Sequence, residues 1–259
     1  MLSCLFLPVS AGDDAGLWAD FSFGKKVSKK FSTEASLGFR SERHMHHMMR
    51  WEAGLGFDYK PVSFLKFGAS YVLLRDRRSG EVSPHYNSKG NFNGYNIERD
   101  AWRNKHRACF DVTGSLPLGR FTLSLRERYQ YTRLMSVSVT EEKYRGIVSP
   151  GYVGPQYGGY ALDRTEADKK HAGDRHYLRS RLAVEYNIRH CPVTPFALAE
   201  LSNNISDRLL LDKTRVSAGI DWKVAKMHKF TIAYLWQTGA DDEENDGIHV
   251  LKLGYRLNF

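Results

Sequence analysis

The sequence predicts an all-β chain: a transmembrane, antiparallel, up-and-down β-barrel of about ten strands. Three observations predict it. Apolar and polar residues alternate with period two in segment after segment. The connections between segments alternate between short and long. The segments run about ten to twelve residues, longer than an ordinary globular strand and close to the ~9 to 11 residues of a tilted membrane strand.

Taken in order, the strands fall near 31–40, 48–59, 64–75, 102–116, 120–133, 175–187, 194–203, 214–224, 229–238 and 248–259. The second is the cleanest. Met49, Trp51, Ala53, Leu55, Phe57 and Tyr59 share one face, and Arg50, Glu52, Gly54, Gly56 and Asp58 share the other. No helix distributes charges and aromatics in this way. In the fifth, Phe121, Leu123, Leu125, Tyr129 and Tyr131 oppose Thr122, Ser124, Arg126, Arg128 and Gln130, and Glu127 is the one charge on the apolar face. Residues 194–203 are ambiguous, with apolar side chains on both faces. Leu17 to Val27 is an eleventh candidate, but an odd strand conflicts with the even count usual for such barrels. Ten strands is therefore the expectation. Twelve is the alternative, should 133–174 hide another.

Short connections at 60–63, 117–119, 189–193 and 225–228 alternate with long ones, notably 75–100 and 133–174. Aromatics gather near strand ends, where interfacial girdles form: Phe31, Phe39, Tyr59, Tyr71, Phe121, Tyr131, Tyr186, Phe230, Trp236 and Phe259. The chain closes on Tyr255, Leu257 and Phe259 at alternate positions. That ending is similar to the insertion signal read by the machinery that assembles outer-membrane barrels.

Composition agrees. Apolar residues make up 42% and aromatics 13%, and the mean hydropathy of −0.48 suits strands that pair each lipid-facing residue with a polar one. No stretch approaches the ~18 apolar residues of a membrane helix. Residues 1–11 read as the remnant of a signal peptide, with Val9-Ser10-Ala11 as a small-residue cleavage site. Residues 12–30 form an N-terminal segment and 31–259 the barrel. Cys109 falls mid-strand and Cys191 in a turn, so the two are not expected to pair. The charge of +9 is spread through strands rather than gathered in a patch, which argues against a nucleic-acid partner. Lipopolysaccharide phosphates are the more natural acidic neighbour.

The register aims Arg50, Glu52, Arg107, Asp111, Arg126, Arg128, Arg179, Arg181, Glu185, Arg215, Asp221 and Arg256 into the lumen. Such a lining suits either a salt-bridged plug or a narrow pore that favours anions. His44, His46 and His47, beside Met45, Met48 and Met49, are candidates for a surface metal site, since imidazole and thioether suit late transition metals. A barrel lipase or deacylase would need Ser or Glu beside His. His85 with Ser88, and His176, are the candidates, without an evident orienting partner. The Gly- and Tyr-rich stretch 151–160 offers an adaptable contact surface for a protein partner.

The chain resembles an uncharacterised domain-of-unknown-function family of Gram-negative outer-membrane barrels. The resemblance rests on Gly16-Leu17-Trp18, residues 25–31, residues 52–62, Gly119-Arg120-Phe121, residues 125–130 and Tyr255 to Phe259. It implies a barrel in the outer membrane and supplies no activity. The expectation is a non-enzymatic outer-membrane barrel without a cofactor, acting as a narrow pore or as a structural or partner-binding barrel. A lipid-modifying enzyme is the first alternative and a surface metal-binding module the second.

Overall fold

The computed structural model describes residues 14–42, 47–147, 159–224, 227–239 and 247–259. The 1–11 segment lies outside them, as do His44 and His46. Fifteen strands occur among the described residues: β1 (Asp14–Lys26), β2 (Phe31–Glu42), β3 (His47–Val62), β4 (Leu65–Arg78), β5 (Val82–Tyr86), β6 (Phe92–Glu98), β7 (Ala101–Leu118), β8 (Phe121–Leu134), β9 (Val137–Gly146), β10 (Tyr160–Lys170), β11 (Gly173–Tyr186), β12 (Val193–Asn204), β13 (Leu210–Lys223), β14 (His228–Thr238) and β15 (Ile248–Asn258). Eleven close into a barrel in the order β1-β15-β14-β13-β12-β11-β8-β7-β4-β3-β2, and β10-β9-β6-β5 form a separate sheet.

The barrel therefore has one strand more than the ten expected, and neither ten nor twelve is the count. The additional strand is β1, formed by the Leu17 to Val27 candidate. Its consequence is geometric. When directions alternate around a closed ring of odd number, the first and last strands must point the same way. β1 accordingly pairs with β15 in parallel, Trp18 opposite Lys252 and Phe21 opposite Tyr255, while it pairs with β2 antiparallel. The wholly antiparallel expectation is corrected at that seam.

The apolar face points outward. Phe21, Leu55, Phe57, Phe67, Phe110, Leu125, Trp222, Ile232 and Leu253 are all exposed. The opposite face of the same strands points into the barrel, where Glu200, Asp111, Gln130, Thr132, Ser202 and Ser217 are buried. Alternation alone leaves open which face turns out, and here it is the reverse of a water-soluble barrel. Apolar side chains also occur inside, among them a small patch of Trp18, Leu235 and Val250, joined by Ile248, and Leu74. Inward glycines make room for charged neighbours. A Cβ on Gly68 would meet Asp111 Oδ2 at 2.3 Å, and one on Gly38 would meet Glu52 Cγ at 2.7 Å.

β12 explains its own ambiguity. Phe196 and Leu198 share the inward parity of Glu200 and Ser202, while Ala197, Ala199 and Leu201 are exposed. Bulky apolar groups inside and alanines outside blur the pattern that makes β3 legible.

The second compact unit comprises residues 75–105 and 133–173, the long connections. They are not structureless: they carry β5, β6, β9 and β10, paired antiparallel.

Cysteines placed at Ala19 and Leu253, opposite each other on β1 and β15, test the seam in a background where Cys4, Cys109 and Cys191 are serine. The pair is expected to oxidise to an intramolecular crosslink with shifted electrophoretic mobility, and cysteines at Ala19 and His249 are not.

Candidate functional site

Glu200 anchors the barrel interior. Its carboxylate is wholly buried and receives four arginines: Arg126 at 2.9 Å, Arg181 at 2.7 Å, Arg215 at 3.4 Å, and Arg179. The strand register produces this directly. Glu200 on β12 lies opposite Arg181 on β11 and opposite Arg215 on β13, so three inward charges of alternating sign sit in one row. Arg126 reaches in from β8. Two of the arginines are held at a second point: Arg179 donates to Gln130 Oε1 at 2.8 Å and Arg215 to Gln237 Oε1 at 2.6 Å.

From the hub the network crosses the lumen. The Arg215 guanidinium lies 5.4 Å from the centre of the Trp18 ring, and that of Arg40 lies 4.3 Å from it. Trp18 is on β1, separated from β13 in the barrel wall by β14 and β15, so this contact is a chord and not a neighbour contact. Cations on an indole face are attracted by the ring's charge distribution. Arg40 then pairs with Glu52 at 3.0 Å. Arg107 on β7 joins the belt through side chains of β8: its Nε donates to Thr132 Oγ1 at 3.5 Å, Gln130 Nε2 donates to the same oxygen, and Gln130 holds Arg179. Arg128 pairs with buried Asp111 at 2.7 Å.

Of the lumen residues expected from the sequence, Arg50, Glu52, Arg107, Arg126, Arg179, Arg181 and Arg215 come together here, with the Arg128–Asp111 pair beside them. Asp221 and Arg256 form separate pairs, with Lys229 at 2.9 Å and Glu34 at 2.5 Å. Glu185 has the inward parity of Arg179 and Arg181 and is exposed, one residue from the end of β11. Three members were missed. Glu200 sat in the ambiguous segment, and Trp18 sat in the segment left aside for parity. Arg40 ends the 31–40 segment and is absent from the lining expected of the lumen. Tyr255 shares a 2.8 Å hydrogen bond with His228, Leu257 ends the same face, and the Phe259 amide donates to Gly24 O at 2.8 Å. His47 opens β3, but its side chain, like those of His44 and His46, is outside the description.

On the outward face, Glu127 accepts a 2.6 Å hydrogen bond from Ser180 Oγ on β11, which satisfies the one charge that broke the alternation. Tyrosine–histidine pairs recur there: Tyr71 with His106 at 2.5 Å, Tyr129 with His176 at 2.7 Å, and Tyr234 with His249. His176 thus has tyrosine for its partner, and it lies four residues along the strand from Ser180.

A family model described as a protein of unknown function, DUF2490, matches residues 15–247. The chain belongs to the DUF2490 family. No curated protein matches it. The matched region starts within β1, so this strand is part of the DUF2490 domain and not an appendage to it.

In the second unit, the sheet carries a cluster of aromatic rings. Tyr95 stacks on Tyr144 at 5.1 Å between centroids and meets Tyr160 at 5.4 Å; Phe92 meets Tyr160 at 5.8 Å and Tyr86 at 6.0 Å. Tyr160 belongs to the Gly- and Tyr-rich stretch; residues 151–158 of it lie outside the described residues. Ion pairs cross the strands, with Arg99 forked onto Glu142 at 2.9 and 2.7 Å and Lys143 on Glu166 at 2.5 Å.

Two predictions follow from these geometries. Glu200→Gln removes the charge that four guanidinium groups share, and breaking a buried pair costs ~3–5 kcal/mol. The variant is expected to unfold at markedly lower temperature in detergent, followed by its heat-modifiable mobility. In the sheet, hydrogen bonds from Arg99 and Lys143 hold the Glu142 and Glu166 carboxyls below the ordinary glutamate value of 4.5. A lowered folded-state pKa contributes stability above the unfolded value that is lost as pH falls through the folded one. Amide exchange in β9 and β10 is therefore expected to be slow at pH 7 and to accelerate, after correction for intrinsic rates, only below about pH 4.5.

Proposed function

We propose that this protein is a non-enzymatic outer-membrane β-barrel of a Gram-negative bacterium whose lumen is a narrow, anion-preferring path constricted at the arginine belt. The observation that carries the reading is the inversion of the faces: large apolar side chains are exposed all round the barrel, and the charges are inside. A wall of that kind is stable in hydrocarbon, where a closed barrel also satisfies every backbone group.

The aromatic placement supports the same reading. At the short-turn end Phe31 stacks on Tyr59 at 4.7 Å, Phe121 meets Tyr186 at 4.9 Å and Phe230 meets Tyr255 at 5.1 Å. The pairs of Tyr71 with His106, Tyr129 with His176 and Tyr234 with His249 lie toward the other end, while Tyr255 with His228 belongs to the short-turn end. Tyr186 and His176 are ten residues apart on β11, which is ~33 Å along a strand and ~25 Å along the axis at a tilt of ~40°. That matches the ~25 Å apolar band between the two girdles of an outer-membrane barrel. The C-terminal strand, ending on Tyr255, Leu257 and Phe259, suits delivery by the barrel-assembly machinery, with lipopolysaccharide and lipid as neighbours.

A second reading is favoured by one observation. The aromatic cluster of the second unit, with Tyr86 and Phe92 exposed, suits a barrel that binds a protein partner through the 133–174 connection. The lipid-modifying alternative rests on His85 with Ser88 and on His176, and predicts phospholipid turnover lost in Ser88→Ala or His176→Ala. The metal-module alternative rests on His44, His46 and His47.

Single-channel recording on the refolded protein in a planar bilayer tests the main reading. Small discrete steps are expected, with an anion preference that falls in Arg126→Gln and Arg181→Gln. A folded, inserted barrel that passes no current would remove the path and leave the partner-binding reading.

A further inference from the structure

The belt holds more positive charge than its own carboxylates can answer. Arg40, Arg107, Arg126, Arg179, Arg181 and Arg215 face Glu52 and Glu200, and Glu200 alone already serves four of them. The wall beside Trp18 is apolar, made of Leu235 and Val250, so it neither compensates the charge nor brings in water. Burying unbalanced charge in such a setting is costly unless another group pairs with it.

The second observation is independent of charge counting. The Nε atoms of Arg40, Arg126 and Arg179 and the indole Nε1 of Trp18 are buried without a hydrogen-bond partner among the described residues. Trp18 itself is only 7% exposed. All four are donors, against one buried acceptor of the belt without a partner among the described residues, Glu52 Oε2. Buried donors without acceptors are uncommon in folded proteins and call for an explanation. A site that combines surplus positive charge with surplus donors is complementary to a ligand that only accepts and carries more than one negative charge.

We propose that the arginine belt is a binding site for a tetrahedral oxyanion of the phosphate class, held inside the barrel between the Glu200 hub and Trp18. Four oxygens and two charges meet both surpluses at once, and guanidinium groups bind such anions through paired donors. Chloride offers no such set of directed acceptors, and a monocarboxylate offers half the charge. The inference rests on the reading of the lumen as an anion path, but binding does not require conduction.

The test is isothermal titration of the refolded full chain in detergent micelles with inorganic phosphate, against chloride at matched ionic strength. Saturable binding of phosphate with one site per barrel is expected, and none of chloride. Arg107→Gln removes a charge of the belt and Trp18→Phe keeps the ring but removes its donor. Affinity is expected to fall about tenfold or more in the first and several-fold in the second, with circular dichroism unchanged in each. Glycerol 3-phosphate in a parallel titration separates a site for the free ion, which binds phosphate alone, from one that takes the phosphoryl end of an organic molecule, which binds both. A folded barrel that binds neither, or equal affinity in wild type and both variants, overturns the proposal. A barrel that binds phosphate in micelles but passes no current keeps this inference and loses the conducting path; the converse result does the opposite.

Discussion

One buried carboxylate organises the inside of this barrel. Eleven strands enclose an interior crowded with guanidinium groups, which need a counter-charge when buried. Glu200 supplies part of it. It draws arginines from β8, β11 and β13 into one cluster, and long side chains stretched toward a common point occupy the volume. The chord from Arg215 through Trp18 to Arg40 and Glu52 carries the same network to the opposite wall. The barrel is thus tied across its bore as well as around its circumference.

The inverted faces and the odd strand number are linked to that interior. Inward positions on β2 and β3 are mostly charged, polar or glycine, and on β4 only Val72 and Leu74 are apolar among Lys66, Gly68, Ser70 and Asp76, so most apolar residues of these strands lie on the outside. Gly68 and Gly38 illustrate the dependence. Each lies where a methyl group would collide with a carboxylate, Asp111 or Glu52, that is itself paired with an arginine. β1 contributes Trp18 to the network, so the strand that makes the count odd is also the one that completes the crossing. The parallel seam with β15 is the geometric cost of including it.

Much of this was legible in the sequence where one physical rule acted alone. β3 obeys period two because one face meets charges and the other does not, and Arg126, Arg128, Arg179 and Arg181 were placed in the lumen on that ground. Legibility failed where two rules competed. β12 turns Phe196 and Leu198 inward with Glu200, so apolarity no longer distinguishes its faces, and the central residue went unseen. β1 alternates clearly but was set aside because even-numbered barrels are usual. The sheet of the long connections was missed for another reason: β10 is exposed along most of its length and reads as a polar loop. Its register is supported by cross-strand ion pairs, such as Lys143 with Glu166, that become visible only once the strands are paired. Glu127 shows the reverse, a residue whose position was clear and whose reason needed the neighbouring strand's Ser180.

The central claim is that the apolar face of this barrel meets lipid while the belt stays sealed inside. The most direct measurement is fluorescence of two single-tryptophan variants, one retaining Trp222 and one retaining Trp18, each reconstituted in vesicles of phospholipid brominated on the acyl chains. Trp222 is outward and 47% exposed, whereas Trp18 is buried among the belt arginines. The account predicts strong quenching of Trp222 and little of Trp18. Quenching of Trp18, or none of Trp222 in an inserted barrel, would contradict it.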